Sequence, residues 1–451
     1  MTSITLIYPY FKPRRDRSVF RFPPLGISYI ASTLKAAGHD VFLLDCTFLK
    51  KKDALEKALA VKTSITGIYC MASIMDDCFW FAEKVRSFSK LLVAGGPMPT
   101  CDPALFLDHF DVVVRGEGEQ TMLEIVRSFE EGSGMERIPG IVFKRKTDPL
   151  IGGNGQTVNT APRPFAIDLD SIAFPARDML QNASYINHGK RTYGFSITTV
   201  MSTRGCPFQC EFCSNVVFGG SYHERSPRNV VDEIEETLKL GYDRISFADD
   251  VFTMNPKRVM SICEEIRIRG LRFQWECLGR VDTLDYPLAV AMKNAGCMRI
   301  FFGIESGSES ILKLMNKKIT TDQARGAVEA ASRAGLQVGA FFILFYPGDT
   351  DDTVLQTLRF ALSLPVNYLG LTMPYALPGT DLYKRVYGGQ EDGRAGGQIR
   401  PLIKDFSITK MRFGIIKGKI HFALKRKLGR LAPSFLKPFE TITDALFRRL
   451  K

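Results

Sequence analysis

Two stretches of this chain, residues 1–146 and 195–385, each alternate short apolar runs with helical patterns, and this alternation limits the fold more than any other feature. In the first stretch the apolar runs are Ile4 to Tyr8, Val41 to Leu44, Ile65 to Cys70, Leu91 to Ala94 and Val112 to Val114. Pro24-Leu25-Gly26 opens a helical pattern that runs to about Ala37, and Gly38 closes it as a C-terminal cap; Ala82 to Phe88 is a second helical pattern. In the second stretch the runs are Ser196 to Met201, Arg244 to Ala248, Gln274 to Leu278, Arg299 to Gly303, Val338 to Phe345 and Tyr368 to Met373. Helical patterns such as Asn229 to Leu240 and Pro256 to Arg269 lie between them. Alternation of this kind implies parallel sheets covered by helices. The first series predicts a doubly wound sheet and the second, with six strand–helix units, a partial (β/α) barrel. Both place ligands beyond the carboxyl ends of their strands.

Directly after the first run of the second series comes Thr203-Arg204-Gly205-Cys206-Pro207-Phe208-Gln209-Cys210-Glu211-Phe212-Cys213. Three thiolates in a C-x3-C-x2-C loop can hold three corners of an iron–sulfur cube and leave the fourth iron open to a substrate or cosubstrate. The competing reading is a structural zinc loop, which needs a fourth ligand. His223 is the nearby candidate, and Cys263, Cys277 and Cys297 are isolated rather than paired. The cluster reading is preferred.

Three loops of the first series carry binding signals. Pro9-Tyr10 follows the first strand, Gly95-Gly96-Pro97-Met98-Pro99-Thr100 a later one, and Gly116-Glu117-Gly118-Glu119 opens a helix. Glycines let backbone amides approach a ligand, although Gly-Gly turns after strands are common in doubly wound domains for structural reasons alone.

At 451 residues two or three domains are expected. No secretory leader pattern and no run of membrane-spanning length is read, so a cytoplasmic protein is expected. The ten cysteines do not suggest a disulfide framework; Cys46, Cys70, Cys78, Cys101, Cys263, Cys277 and Cys297 lie among apolar neighbours and read mostly as buried free thiols. Of the formal net charge of +12, ten units belong to residues 401–451, where thirteen Lys and Arg face three acids. The basic balance therefore belongs to the tail and is no sign of nucleic-acid binding by the rest.

The cysteine motif strongly resembles the signature of radical S-adenosylmethionine enzymes. Pro-Pro-Leu-Gly, Gly-Gly-Pro-x-Pro-Thr and Gly-Glu-Gly-Glu, in this order ahead of it, resemble the cobalamin-binding domain of the cobalamin-dependent members. The resemblance implies an α/β fold. It comprises a Rossmann-like cobalamin-binding domain over 1–146, a linker over 147–194, a partial (β/α)6 radical barrel over 195–385 and a basic helical region over 386–451. Many relatives carry His where Met98 stands, and no Asp-x-His-x-x-Gly run occurs. His39 and His109 read as ordinary surface or helix-end residues, so no histidine is offered to cobalt from below.

Carried over position by position, the resemblance assigns Cys206, Cys210 and Cys213 to a [4Fe-4S] cluster. Phe212, Asp249, Asp250, Arg280, Glu305 and Ser306 are assigned to S-adenosylmethionine, and Tyr10, Gly95, Gly96, Thr100, Gly116, Glu117 and Gly118 to cobalamin. For the carboxylates, Asp282 included, helix capping or ion pairing is the competing role. No residue is assigned to substrate chemistry itself. In the fifth strand, Phe345-Tyr346-Pro347-Gly348-Asp349-Thr350 stands where relatives read Gly-x-Pro-Gly-Glu-Thr, and Phe345 is expected to thicken the backbone and reshape the substrate pocket. Tyr375 and Pro378-Gly379-Thr380 read as a closing turn.

The activity implied is cleavage of S-adenosylmethionine to a 5′-deoxyadenosyl radical, hydrogen abstraction from an unactivated carbon, and cobalamin-dependent methyl transfer. The first alternative is oxidative cyclisation or carbon–carbon joining of the anaerobic porphyrin cyclase type. RNA or protein methylthiolation is less well matched, because Cys46, Cys70, Cys78 and Cys101 are not spaced like a second cluster; a non-enzymatic electron carrier leaves the barrel unexplained. Expected partners are a small-molecule or lipid substrate and an electron donor such as flavodoxin or ferredoxin. In the tail, Lys425 to Leu431 and Ile442 to Leu450 look like basic amphipathic helices. They would lie on an anionic lipid surface, hold an anionic substrate or pack on the barrel; RNA ranks lower.

Overall fold

The computed structural model describes residues 2–11, 21–145, 156–388, 402, 405–429 and 432–450. The basic stretch from Lys12 to Arg17 and the Gly152 to Gly155 run lie outside the described residues.

The first sheet contains β1 (Ser3–Tyr8), β2 (Asp40–Asp45), β3 (Ile65–Tyr69), β4 (Leu91–Gly95), β5 (Val112–Val114), β6 (Ile141–Lys144) and β7 (Thr157–Asn159). Their spatial order is β2-β1-β3-β4-β5-β6-β7. Pairing is parallel through β5, and β6 and β7 are added antiparallel. Order reverses beside β1, so the crevice of this sheet opens at the ends of β1 and β3. Helices cover both faces: Leu25–Ala36 and Glu119–Glu131 on one, Lys51–Val61 and Met75–Val85 on the other. The helix expected over Ala82 to Phe88 is the end of Met75–Val85.

After β8 (Ile197–Val200) the chain forms a two-residue ribbon, β9 (Thr203–Arg204) with β10 (His223–Glu224), that brackets the cysteine loop. The barrel continues with β11 (Arg244–Phe247), β12 (Gln274–Gly279), β13 (Cys297–Glu305), β14 (Gln337–Ile343) and β15 (Tyr368–Thr372). All six strands are parallel, in the order β15-β14-β13-β12-β11-β8. Alternate residues of β12, such as Trp275 and Cys277, are buried against the outer helices. Glu276 and Leu278 face the concave side, as the two-residue period of a strand requires.

The segment read as a linker packs as a third structural unit where it is described. Tyr185, from helix Asn182–Tyr193, donates to Asp45 Oδ2 at 2.6 Å, and Ser32 donates to Phe174 O at 2.6 Å. The Arg177 guanidinium reaches Glu233 at 2.6 Å with both side chains buried. This stretch therefore joins the first sheet to the barrel.

The tail forms two long helices, Ile408–Leu428 and Ala432–Arg449. The helix expected over Lys425 to Leu431 is corrected: the first helix begins much earlier and stops before Gly429, whose φ is +52°. Both pack on helix Asp351–Ser363, and Lys410 and Arg448 pair with its Asp351 and Asp352 at 2.8 and 2.5 Å. Lys417 pairs with Asp444 between the two helices, and Lys425 donates to Leu364 O at 3.2 Å. Much of the basic charge thus faces protein partners. Among the described residues no helix is long and apolar enough to cross a membrane.

Candidate functional site

The cysteine loop hangs from the end of β8 over the barrel mouth. Gly205, at φ +83°, makes the turn into it, and a Cβ there would collide with Ser221 O. Asp249, at the end of β11, accepts from the Ser202 and Thr203 amides at 2.6 and 3.0 Å and from the Ser202 hydroxyl. The Asn215 amide group donates to Cys206 O at 3.1 Å, and Asn316 donates to Gln209 O at 2.6 Å. The Arg280 guanidinium lies 3.4 Å from the ring centre of Phe208.

Glu211, between the second and third cysteines, is held at both backbone and side chain. Its N–H donates to Met315 O and its carbonyl accepts from Leu382 N, each at 2.9 Å. Its carboxylate accepts from the Tyr346 hydroxyl at 2.5 Å and from both Nε and Nη2 of Arg385, the latter at 2.9 Å. A bidentate Arg–carboxylate pair fixes orientation as well as distance.

All ten cysteines are free thiols. Burial raises the pKa of Cys206, and burial with the neighbouring Cys210, Asp250 and Cys206 pushes Cys213 up to about 11. The positive charges of Arg280 and Lys317 act against these shifts. Cys206 and Cys213 are therefore protonated near neutrality when unloaded, and metal binding must displace protons from them. Among the described residues no three His, Cys, Asp or Glu side chains are gathered to hold a single metal ion. Three thiols on one loop at an open mouth, with no histidine brought to them as a fourth donor among the described residues, fit the cluster.

Around the mouth the structure separates the expected cosubstrate residues into two groups. Asp250 is exposed and acts electrostatically on Cys206 and Cys213; burial among neighbouring atoms and the charge of Asp249 raise its pKa. Glu305, at φ +73°, pairs with Lys317 at 3.1 Å, and Lys317 Nζ lies 5.8 Å from the ring centre of Phe212. Arg280 is held by Asp282 at 2.9 Å and donates to Lys317 O at 3.1 Å. These residues border the cysteine loop. Asp249 and Ser306 do not face it as expected. Asp249 is fully buried with both oxygens engaged by the loop preceding Cys206, and Ser306 shares a buried hydrogen bond with Thr357 at 3.0 Å. In this arrangement both side chains support the frame around the cysteine loop.

Phe345 is corrected too. It adopts φ +66°, a conformation suited to glycine, but its ring points away from the mouth. It packs on Phe406 and Phe447, with ring centres 5.1 and 6.1 Å away, and against Gly414 of the first tail helix. It therefore couples the strand end to the tail.

A cavity of about 380 Å³ lies between the carboxyl edge of the first sheet and the barrel. Tyr8, Tyr69, Gly95, Gly96, Gly116 and Gly118 line one side, and Thr199, Met201 and Ala248 the other. Gly96 has φ +112°, and a Cβ there would stand 2.6 Å from Cys70 O. Thr100 lies behind the wall: its hydroxyl donates to Gly96 O at 2.8 Å and accepts from Gly116 N at 3.0 Å, tying the two glycine loops together. Tyr10 stacks against Tyr8 at 6.0 Å. Met98, His39 and His109 are not among the lining residues; His109 stacks on Phe79 at 4.6 Å. The glycine-lined, mostly apolar crevice fits one face of a corrin.

Glu117 lines the cavity and also crosses it. Arg204 Nη1 donates to Glu117 at 2.7 Å and Nη2 to Glu119 at 2.6 Å, all three side chains being nearly buried. This bridge ties the first sheet to the strand that leads into the cysteines. Sequence reasoning missed Arg204, Glu211, Lys317, Tyr346 and Arg385. Arg204 and Glu211 stand inside the cysteine motif, but the other three meet it only through folding.

Comparison with known proteins places residues 12–126 in a family described as the B12 binding domain and residues 200–361 in the radical SAM superfamily. An uncharacterized methyltransferase of Pyrococcus horikoshii is 34% identical over 371 residues, covering 80% of this chain and 78% of that one. An anaerobic magnesium-protoporphyrin IX monomethyl ester cyclase of Cereibacter sphaeroides is 26% identical over 446 residues, 94% of this chain and 71% of that one. A hopanoid C-3 methylase of Methylococcus capsulatus is 26% identical over 380 residues, 80% and 68% of the two chains. Among solved structures, the cobalamin-dependent S-adenosylmethionine radical enzyme OxsB matches with a TM-score of 0.79 at 16% identity, over 99% of this chain and 72% of that one. At that identity the likeness shows the fold.

Proposed function

Because this chain belongs to the radical S-adenosylmethionine superfamily, in the group with a B12-binding domain ahead of the radical domain, we propose that it methylates an unactivated carbon of an apolar, lipid-like substrate. The observation that carries this reading is the cavity between the glycine loops and the barrel, which ends on β8 and β11 beside the cysteine loop. Bound to the protein, a [4Fe-4S] cluster would supply the electron that cleaves S-adenosylmethionine to a 5′-deoxyadenosyl radical, and cobalamin the methyl group.

The chain's own residues would hold and orient these groups. Cys206, Cys210 and Cys213 would hold the cluster, with Asp249 and Glu211 fixing the two ends of their loop. Phe212, Asp250, Arg280 and Glu305 border the place for the cosubstrate. Residues 1–146 would form the cobalamin unit and 195–385 the radical unit, joined by 147–194 and backed by 386–451. Arg204 would hold the two units in register while the cavity walls exclude water. Cys213 is exposed, which leaves a side of the loop open to a reduced flavodoxin or ferredoxin.

The apolar substrate class is supported by the hopanoid methylase and the porphyrin cyclase among the relatives. Membrane contact would use Ile416, Ile420, Ile442 and Leu446, exposed apolar residues of the tail helices, flanked by Lys419, Lys427 and Arg449. The double substitution Ile416→Asp, Ile442→Asp is expected to abolish association with anionic liposomes; undiminished association removes this surface from consideration.

Cyclisation or coupling is the second reading, favoured by a cyclase relative that aligns with 94% of this chain. One experiment separates the two. The protein is reconstituted anaerobically with iron, sulfide and hydroxocobalamin, then incubated with S-adenosylmethionine, reductant and cell extract. Formation of 5′-deoxyadenosine together with S-adenosylhomocysteine supports methyl transfer, whereas 5′-deoxyadenosine alone supports cyclisation. Neither product, from a protein with its cluster intact, refutes both.

A further inference from the structure

The segment that carries the cysteines leaves the barrel at Ser202 and returns to it at Arg225. Between these points lie strands β9 and β10 and the loop they bracket. The Arg225 N–H donates to Ser202 O at 3.0 Å across this neck. Arg258, in the first turn of helix Pro256–Ile268, grips both sides of it. Its Nη2 donates to Ser202 O and its Nε to Arg225 O, each at 2.8 Å. Both acceptors are backbone carbonyls, so the guanidinium fixes the two chain segments themselves. Arg258 is in turn placed by its helix end. Asn255 caps that helix by accepting from the Arg258 N–H at 3.2 Å, and donates to Glu224 of β10 at 3.0 Å. Ser202 is thus held at its amide and hydroxyl by Asp249 and at its carbonyl by Arg258.

This arrangement is costly. Arg258 is 5% exposed, and Glu224, the carboxylate it pairs with, stands 3.8 Å away. Its Nη1 has no hydrogen-bond partner among the described residues. A buried cation without a close carboxylate lowers stability relative to an apolar side chain of similar volume. Methionine would serve packing as well. It could not bridge two carbonyls, which needs the rigid planar fork of arginine.

We infer that Arg258 is a positioning residue for the cysteine loop. By clasping Ser202 and Arg225 it sets the tilt of the loop over the barrel mouth. It thereby sets the direction in which a cluster held by Cys206, Cys210 and Cys213 would present its open iron. The inference rests on the cluster of the proposed function, but part of its test needs no cluster.

In the full-length protein before reconstitution, amide hydrogen exchange read by mass spectrometry follows residues 203–213. Loss of a charge-assisted bond on each side of the neck should raise exchange there by about tenfold in Arg258→Met. Arg258→Lys keeps the charge but not the fork, and should show nearly the same rise. Met292→Ala truncates a fully buried side chain of the barrel's outer core, and should lower the melting temperature without that rise. After anaerobic reconstitution, S-adenosylmethionine is expected to shift the electron paramagnetic resonance spectrum of the reduced cluster in the parent and in Met292→Ala. That shift should be lost in both Arg258 variants. Parental exchange in Arg258→Met, full rescue by lysine, or an equal rise in Met292→Ala would each overturn the inference. A spectral shift retained in both Arg258 variants would overturn it too. If Arg258→Met does not fold, the lysine variant decides alone. A parent that assembles no cluster would refute the proposed function instead, and exchange would still decide whether Arg258 clasps the neck.

Discussion

Substituting Arg204 by Met would test whether the two halves of the site are held together by one buried cation. Methionine preserves an unbranched apolar stem, so the packing against Tyr29 and Phe218, whose ring centres lie 5.1 and 5.4 Å from the guanidinium, is largely retained. The charge is lost from between Glu117 and Glu119, whose side chains are only 7% and 13% exposed. Burial by itself lowers the pKa of Arg204, but the two carboxylates outweigh it and raise the pKa, so the cation persists at any pH the protein survives. Removing one partner of a buried ion pair costs about 3–5 kcal/mol, because the other charge stays desolvated. At about 2–4 °C per kcal/mol for a unit of this size, melting should fall by about 10 °C.

Two controls make the outcome specific. In the variant two buried carboxylates lose their cation, Glu117 keeping the Ala166 amide at 2.7 Å, so part of the loss should return as lower pH neutralises buried negative charge. The triple variant Arg204→Met, Glu117→Gln, Glu119→Gln should recover most of the stability, since no buried charge remains. Differential scanning calorimetry from pH 5 to 8, with and without hydroxocobalamin, reads all three proteins. A single variant that melts within about 2 °C of the parent at every pH would refute the reasoning.

Other outcomes follow from the same geometry. Tyr346→Phe removes the hydroxyl that donates to Glu211 and should lower stability by only about 1 kcal/mol, while broadening the electron paramagnetic resonance signal of the reduced cluster; an unchanged signal would deny Glu211 its role in holding the loop. Phe345→Gly releases about 1–3 kcal/mol of left-handed strain but loses a buried ring worth about 3–5 kcal/mol, for a net loss of about 2 kcal/mol by chemical denaturation. Asp349 titrates at about 6, raised from 3.8 by burial although Thr353 and the Tyr346 and Phe345 amides favour its ionised form. The folded state therefore holds this proton more tightly than the unfolded chain, and stability from this group is full below about pH 4 and declines as pH rises to about 6. The decline is on the order of 2–3 kcal/mol, and Asp349→Asn should flatten that part of the stability–pH curve.

The sequence was most legible where chemistry and element coincide in a short window. The cysteine loop reads directly, because a C-x3-C-x2-C spacing after an apolar strand has few other uses. The parallel strands of both sheets read from their apolar runs, whereas β6 and β7, added antiparallel at the edge, are not among those runs, and β7 is mostly exposed within the segment read as a linker. Less was legible where a residue's surroundings depend on distant neighbours. Asp249 follows a strand end, as a ligand residue does, yet the Ser202 and Thr203 amides engage one of its oxygens and the Ser202 hydroxyl the other. Phe345 departs from a glycine pattern, and only the tail helices show where its ring goes.

By itself the sequence determined the two parallel α/β units, the thiol donors and the glycine loops, because local periodicity and short-range spacing are written in consecutive residues. Only the tertiary structure decided that Arg204 bridges those units, that Tyr346 and Arg385 grip Glu211 from 135 and 174 residues away, and that Lys410 and Arg448 of the tail pair with acids on the barrel. It also set which ring of the aromatic fifth strand faces the concave side: Phe341 faces inward, Phe342 lies in the outer core, and Phe345 packs on the tail. The physical reason is that burial and charge pairing depend on which surfaces meet, and those meetings join residues far apart in the chain.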